Sequence, residues 1–351
     1  MSRTPSSGSP EHVARVGLVV NPAAGRDIRR LTGGASVVDN YAKRRVAECV
    51  LAGLSIVPDT PSVAVMPDTA GIAAHVVSEA TDGVAVEQVD MPVENSAADT
   101  RRAAAHFREH ADAVVVLGGD GTTRDTAMEL GDVPLVSVST GTNNVVPTPV
   151  DGTTAGAAAA VVASDIVDTD AVTYRHGKID VVADDVNGTK RLTGLAAVEI
   201  TDRPFVGTRA VIDPSELLGG VVSRAHPSEI GLSCVAGCLE PLAPDEPGGA
   251  ALRLGDPADA SRTVRGILAP GMTTEVGVVG HDRLGWDDPA TFEVEDGVVG
   301  ADGERELELV DATVEITPVA DGPRLVAVDA ALGAAADAGA LLQDATTVEN
   351  P

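Results

Sequence analysis

Leu117-Gly118-Gly119-Asp120-Gly121-Thr122-Thr123-Arg124-Asp125 sets the architecture of the chain. An apolar run, residues 113–117, leads into it, and a helical stretch, residues 123–130, leads out. Strand, glycine-rich turn and helix in that order make a phosphate cradle. Glycine lets the backbone approach a polyphosphate and take positive φ, and the N–H groups at the helix start face the anion. Thr122 and Asp125 have the spacing of a capping box, which predicts a helix beginning at Thr123. Asp120 places a carboxylate inside this cradle. An acid there needs a partner, either Mg2+ or a substrate proton.

Outward from this turn, short apolar runs recur at 16–20, 63–66, 84–89 and 135–138, each suited to a strand buried on both faces. Helical stretches separate them at 42–54, 69–80 and 97–110, the last headed by a capping box of Ser96 and Asp99. The alternation predicts an α/β fold with a parallel sheet over 15–165, preceded by a loose tail at 1–14.

Two further loops follow strands of this sheet and share its carboxyl edge, where ligands of such sheets bind. Asn21-Pro22-Ala23-Ala24-Gly25-Arg26-Asp27 offers the Asn21 amide and a backbone approach at Gly25. Ser139-Thr140-Gly141-Thr142-Asn143-Asn144 offers hydroxyl and amide donors for phosphates or an adenine edge.

After Val172 the texture changes. Short Val/Thr/Ile-rich segments alternate with turn signals at Asp185-Val186-Asn187-Gly188, Pro247-Gly248-Gly249, Glu295-Asp296-Gly297 and Ala301-Asp302-Gly303. This predicts a mostly antiparallel β domain over 166–325, resembling a sandwich. One helix is expected to interrupt it from Asp213-Pro214-Ser215-Glu216. An alanine-rich helix at 330–342, within the final segment 326–351, is expected to pack back on the first domain.

Composition bounds the function. The 351 residues suffice for about two domains. They are 44% hydrophobic but only 2% aromatic, so the core must be aliphatic. The net charge of −28 is spread along the chain and argues against general nucleic-acid binding or docking on anionic lipid. With so much apolar residue the acidity reads as the surface of a folded protein from a high-salt cytoplasm. Cys49, Cys234 and Cys238 form neither a disulfide framework nor a zinc pattern and read as buried thiols. No run resembles a signal peptide or a membrane span, so a cytoplasmic protein is expected. His106 and His110 share a helix face without the glutamate of a metalloprotease helix and read as surface histidines. Lys178 and Asp180 read as ordinary strand residues.

Taken together, GGDGT at 118–122, GLVVNPAAGRDIRRL from Gly17, GTNNVVP at 141–147 and DGERELEL at 302–309 resemble the superfamily of NAD kinases and diacylglycerol-type lipid kinases. Within it they look most like the ATP-NAD kinase family that includes the acetoin-catabolism X proteins. The resemblance implies a Rossmann-like N-terminal domain, a β-rich C-terminal domain and a site between them. It implies Mg2+-dependent phosphoryl transfer from ATP or polyphosphate to a hydroxyl, the ribose 2′-OH of NAD in an NAD kinase, and a homo-oligomer is expected. Asp120 matches the motif acid that assists the acceptor hydroxyl and organises the metal. Gly118, Gly119, Gly121 and Thr122 match the phosphate loop, and Asn21 and Gly25 its partner loop. Thr142, Asn143 and Asn144 stand where NAD kinases have Gly-x-Asn and look more like the lipid-kinase form. Glu304, after Asp302 and Gly303, resembles the lipid-kinase glutamate that assists the acceptor. Glu199 matches the acid of an acceptor-holding pair whose asparagine is Val198 here, and Asp302 is a further acceptor-side candidate. Arg26, Arg29, Arg30 and Arg124 are candidates for offsetting nucleotide charge. The competing readings are a kinase of another hydroxyl, lipid or acetoin-related, and a nucleotide-binding regulator without catalysis.

Overall fold

The computed structural model describes residues 13–24, 39–80, 83–140, 144–202 and 214–342. The five apolar runs form strands β1 (Arg15–Val20), β2 (Ser62–Val65), β3 (Val86–Gln88), β4 (Ala113–Gly118) and β5 (Leu135–Ser139). They pair in parallel in the order β3-β2-β1-β4-β5. Two late strands extend this sheet: β6 (Thr173–Arg175) lies antiparallel to β16 (Arg324–Val326), which joins β5 in parallel.

Both faces of the sheet are covered, which is why its strands lack polar alternation. Val16, Leu18 and Val20 point to one core, shared with helices α1 (Asn40–Leu54), α2 (Ile72–Ser78), α5 (Gly152–Ala163) and α7 (Val328–Asp337). Val19, Val114 and Val116 point to the other, where α3 (Ala97–His110) supplies Ala103, Ala104 and Phe107. The Ser96–Asp99 capping box is formed, which satisfies N–H groups that α3 would otherwise leave open. The helix after the glycine turn is α4 (Asp120–Leu130).

The second unit is a nine-stranded antiparallel sheet. Its strands are β7 (Lys178–Asp185), β8 (Gly188–Gly194), β9 (Ala197–Thr201), β10 (Leu217–Val222), β11 (Gly249–Gly255), β12 (Arg262–Ala269), β13 (Met272–Leu284), β14 (Ala290–Ala301) and β15 (Glu304–Val319). They run in the order β12-β13-β11-β10-β9-β14-β15-β7-β8, hydrogen-bonded throughout. The sheet folds over its own core of Ile179, Val198, Val221, Val299 and Val314, giving a sandwich-like closure. Across the fold, Arg253 on β11 sits 4.9 Å over the Phe292 ring and donates to the Thr291 carbonyl at 3.0 Å. Helix α6 (Gly231–Leu239) covers the outer face of β10–β13.

Several local expectations are corrected. Pro214–Glu216 is one 3-10 turn leading directly into β10, so no helix starts there; Asp213 lies outside the described residues. The helix of this region is α6, which has no side-chain cap and an apolar, glycine-containing sequence. Glu295-Asp296-Gly297 is not a turn but the middle of β14. Gly297 is needed there because a Cβ would stand 2.2 Å from the Thr201 carbonyl oxygen. Cys234 is buried, but Cys49 is half-buried and Cys238 is exposed, past the apolar face of α6. Lys178 pairs with Asp321 at 3.0 Å, and His106 and His110 stack at 4.4 Å on the outer side of α3. Among the described residues no helix is long and apolar enough to cross a membrane.

Candidate active site between the two sheets

Asp120 is the first residue of α4, and Gly119 precedes it in extended backbone with no side-chain cap. The predicted Thr122–Asp125 capping box is therefore not formed. Both side chains are engaged elsewhere: Thr122 Oγ1 accepts from Asn21 Nδ2 at 2.9 Å, and Asp125 Oδ1 accepts from Arg101 Nη2 at 2.8 Å. The Asn21 loop is thus tied to the glycine loop across adjacent strands β1 and β4. Gly118 permits this closeness, since a Cβ there would stand 2.6 Å from the Thr122 Cβ.

Asp120 faces inward and is 7% exposed. Its Oδ1 accepts from Val146 N at 2.8 Å and Val145 N at 3.1 Å, and its Oδ2 accepts from Val145 N at 2.9 Å. Burial, then the nearby Asp302 charge, push its pKa up to about 7, against the Val146 and Val145 amides and the charge of Arg224. An acid held near neutrality is suited to exchanging a proton with a substrate hydroxyl.

Asp302 comes from the other sheet. Asp302 and Gly303 form the two-residue turn joining β14 to β15, with φ of 56° and 80°. The turn points the Asp302 side chain into the interface, fully buried. There Oδ1 accepts from Ala196 N at 2.7 Å and Leu195 N at 3.0 Å. Burial raises its pKa, while Arg124 and these amides oppose the rise. Leu195 and Ala196 pack in one apolar cluster with Val145 and Val146, whose amides hold Asp120. The two acid cradles therefore rest on a shared wall.

Arg124, a candidate for offsetting nucleotide charge, is buried in this interface and paired with acids of the second sheet. Its Nη1 donates to the Ala301 carbonyl at 3.3 Å and lies 3.4 Å from Asp302 Oδ2, and its Nη2 reaches Glu306 Oε1 at 3.0 Å. Burial opposes its charge, but Asp302, Asp125 and Glu306 outweigh that and raise its pKa. Glu306 is the extra residue of a bulge between β14 and β15, a device that re-aims a side chain.

The remaining candidates gather around this centre. Glu304 Oε1 lies 3.9 Å from where a Gly121 Cβ would stand. Asn144 donates to Ser139 Oγ at 2.7 Å, and its Oδ1 crowds Gly119, 2.7 Å from where a Cβ would be. Glu199, buried on β9, has glycines opposite it on both neighbouring strands, Gly220 and Gly300. A Cβ on Gly300 would meet Glu199 Oε1 at 2.8 Å and the Glu304 carbonyl at 2.9 Å. Val198 points the other way, into the β core, so that position gives nothing to the cleft. Gly25, Thr142 and Asn143, with Arg26, Arg29 and Arg30, lie outside the described residues.

Comparison with known proteins places the two halves of the chain in known families. Residues 16–166 match the ATP-NAD kinase N-terminal domain, and residues 178–321 match the acetoin catabolism protein X C-terminal domain. The acetoin catabolism protein X of Cupriavidus necator is 35% identical over 301 residues, 83% of this chain and 84% of that protein. The chain belongs to the acetoin catabolism protein X family. Yeast NADH kinase, solved in complex with NADH, superposes with a TM-score of 0.51 at 11% identity, covering 91% of this chain and 84% of that one, a likeness of fold.

Two residues of this acetoin catabolism protein X homologue escaped the sequence reading. Lys43, on α1, is fully buried, and its Nζ donates to the carbonyls of Asn21 and Pro22, at 2.9 Å each. It fixes the loop that presents Asn21. The sole signal was scarcity, as it is one of three lysines in the chain. Arg224, just after β10, acts electrostatically on Asp120, and no motif marked it.

Proposed function

We propose that this protein is a kinase that moves the terminal phosphoryl group of ATP or polyphosphate to a hydroxyl, with NAD as the leading acceptor and NADP as the product. The observation that carries the reading is Asp120. It is a buried acid poised about 7 at the first turn of a helix, beside the Gly118–Thr122 loop and facing Asp302 across the interface. Phosphoryl transfer needs positioned partners and charge neutralisation more than covalent help. Pure nucleotide binding gives no reason to bury a carboxylate beside the phosphate cradle.

In this reading the Gly118–Thr122 loop, the start of α4 and Asn144 cradle the donor phosphates, and Lys43 and Thr122 hold Asn21 against them. Asp120 takes the acceptor proton as the acceptor oxygen bonds to the terminal phosphorus and the bond to the leaving diphosphate oxygen breaks. Glu304, beside Gly121, orients the acceptor hydroxyl, and Glu199 lines the acceptor side. Among the described residues no three acidic, histidine or cysteine side chains form a metal cage. A Mg2+ ion carried by the nucleotide fits nonetheless, because such ions take one or two carboxylates beside phosphate and water. Among the described residues Asp120 Oδ2 accepts from one amide alone, which leaves a lone pair for it. When bound, Mg2+ would neutralise phosphate charge.

A second reading, a kinase of another hydroxyl compound, is favoured by Val198 lying in the core and by Glu304 beside the loop. The test is purified protein in concentrated KCl with Mg2+ and either ATP or polyphosphate, offered NAD, NADH and a panel of lipid and small-molecule hydroxyls. Formation of NADP supports the leading reading. Transfer to another hydroxyl alone selects the second, and nucleotide binding without transfer to anything overturns both.

A further inference from the structure

The segment between β10 and α6 carries an ion pair that the proposed chemistry does not use. Arg224 Nε donates to Glu229 Oε1 at 2.6 Å. Glu229 is 8% exposed, and its second oxygen, Oε2, is buried without a hydrogen-bond partner among the described residues. Burial raises the Glu229 pKa and Arg224 opposes the rise. His226 adds a weaker stabilisation through its charge and backbone, yet taking a carboxylate out of water with one oxygen unpaired is costly, and here it fixes the arginine in place. The terminal amines Nη1 and Nη2 make no hydrogen bond among the described residues, and the Arg224 side chain keeps 21% of its surface open. The result is a guanidinium anchored through Nε, with its two terminal amines unpaired among the described residues.

The position of this fork is fixed by its neighbour. Ser223 donates through Oγ to the Leu195 carbonyl at 2.6 Å and through N to the Ala196 carbonyl at 3.1 Å. Leu195 and Ala196 are the residues whose amides hold Asp302. The charge of Arg224 is felt at Asp120, Tyr174 and His176. An arginine fork matches the paired oxygens of a carboxylate or phosphate. In a chain of net charge −28, a site for an anion needs such a fixed cation.

We infer that Arg224, held by Glu229, binds an anionic oxygen group on the acceptor, so that the acceptor is a hydroxyl compound bearing a carboxylate or phosphate rather than a neutral alcohol. This rests on the kinase reading for the word acceptor, but the anion site itself does not. Binding is therefore measured without turnover. Calorimetry would titrate glycerate, glycerol 3-phosphate, NAD and neutral butane-2,3-diol into the full-length protein carrying Mg2+ and a non-hydrolysable ATP analogue. The proteins are wild type, Arg224→Lys, Arg224→Gln and the pair Arg224→Gln/Glu229→Gln, which leaves no lone buried charge. The expected result is that at least one anionic compound binds wild type and the diol does not. That anion weakens about tenfold or more in both Gln variants and less in the Lys variant, while the ATP analogue stays within about twofold. The glycerate and phosphate arms tell the two anion types apart. The inference is overturned if no anion binds folded wild type, if the diol binds as well as the anions, or if the anion is indifferent to the variants. It is equally overturned if the ATP analogue, and not the anion, loses affinity, since the fork then serves the donor. Anion binding with no phosphoryl transfer in the activity assay would sink the kinase reading and leave the anion site standing.

Discussion

Asn21 and Thr122 stand 101 positions apart in the chain and 2.9 Å apart in the fold, the amide of the first donating to the hydroxyl of the second. Thr122→Val keeps the shape of the side chain and removes the acceptor. A neutral hydrogen bond contributes about 1 kcal/mol, so the KM for the nucleotide should rise roughly fivefold with little change in Tm. Steady-state kinetics beside a thermal melt would check this, and a large loss of Tm with unchanged KM would make the bond purely structural.

Asp120→Asn should lower phosphoryl transfer about 10²–10⁴-fold, the usual worth of a positioned proton acceptor. Circular dichroism should show the fold intact. A variant turning over at the wild-type rate removes Asp120 from the chemistry.

The same substitution should change the pH dependence of stability. The Asp120 pKa is about 7 when folded, against an ordinary carboxylate value of 3.8. Its contribution is thus fully present below that lower value and is lost as pH rises towards 7. Asparagine does not titrate, so the stability of the variant relative to wild type should grow by roughly 3–4 kcal/mol between pH 4 and 8. His176 runs the other way: burial lowers its pKa to about 4, and its contribution is lost as pH falls below the ordinary histidine range. Wild type alone therefore shows a partly cancelled profile, and the difference between the two proteins is the quantity to measure, by denaturant unfolding across the range.

Arg124→Met leaves Asp302 buried without its cation. Loss of one partner of a buried pair costs about 3–5 kcal/mol. Adding Asp302→Asn to that variant should return part of the loss, and strict additivity in a double-mutant cycle would deny the coupling.

Gly118→Ala forces a methyl to within 2.6 Å of the Thr122 Cβ. Overpacking of this kind costs about 1–3 kcal/mol. Because Thr122 is the side chain displaced, nucleotide affinity should fall along with Tm, which a direct nucleotide titration would show.

The parallel sheet was legible because apolar runs such as 113–117 and turn residues such as Asn21-Pro22 report directly on strands buried on both faces. The Ser96–Asp99 box was legible because its geometry is local. What escaped was non-local. The helix start at Asp120 rather than Thr123 depends on Asn21 claiming Thr122 and Arg101 claiming Asp125, contacts across 101 and 24 positions. Helices α5 and α6 escaped for different reasons: α5 is buried nearly all round and shows no polar face, although Asp151 caps its start, and α6 has no side-chain cap to mark where it begins. Of the site, the acid in the glycine loop and the Asp302–Glu304 turn carried their own signatures. Lys43, Arg224 and the true partners of Arg124 did not, because burial of a charge is a property of the neighbours and not of the residue.

Where the chain leaves the first sheet and where it returns, the two threads run side by side. Arg175 donates to the Gly322 carbonyl at 3.1 Å, and His176 N donates to the Pro323 carbonyl at 3.0 Å. The whole antiparallel sheet hangs between those adjacent stems like a cassette in a slot. Grafting residues 177–322 from a relative with a different appetite would exchange half the cleft in one cut, leaving the glycine loop and its buried acid with the host.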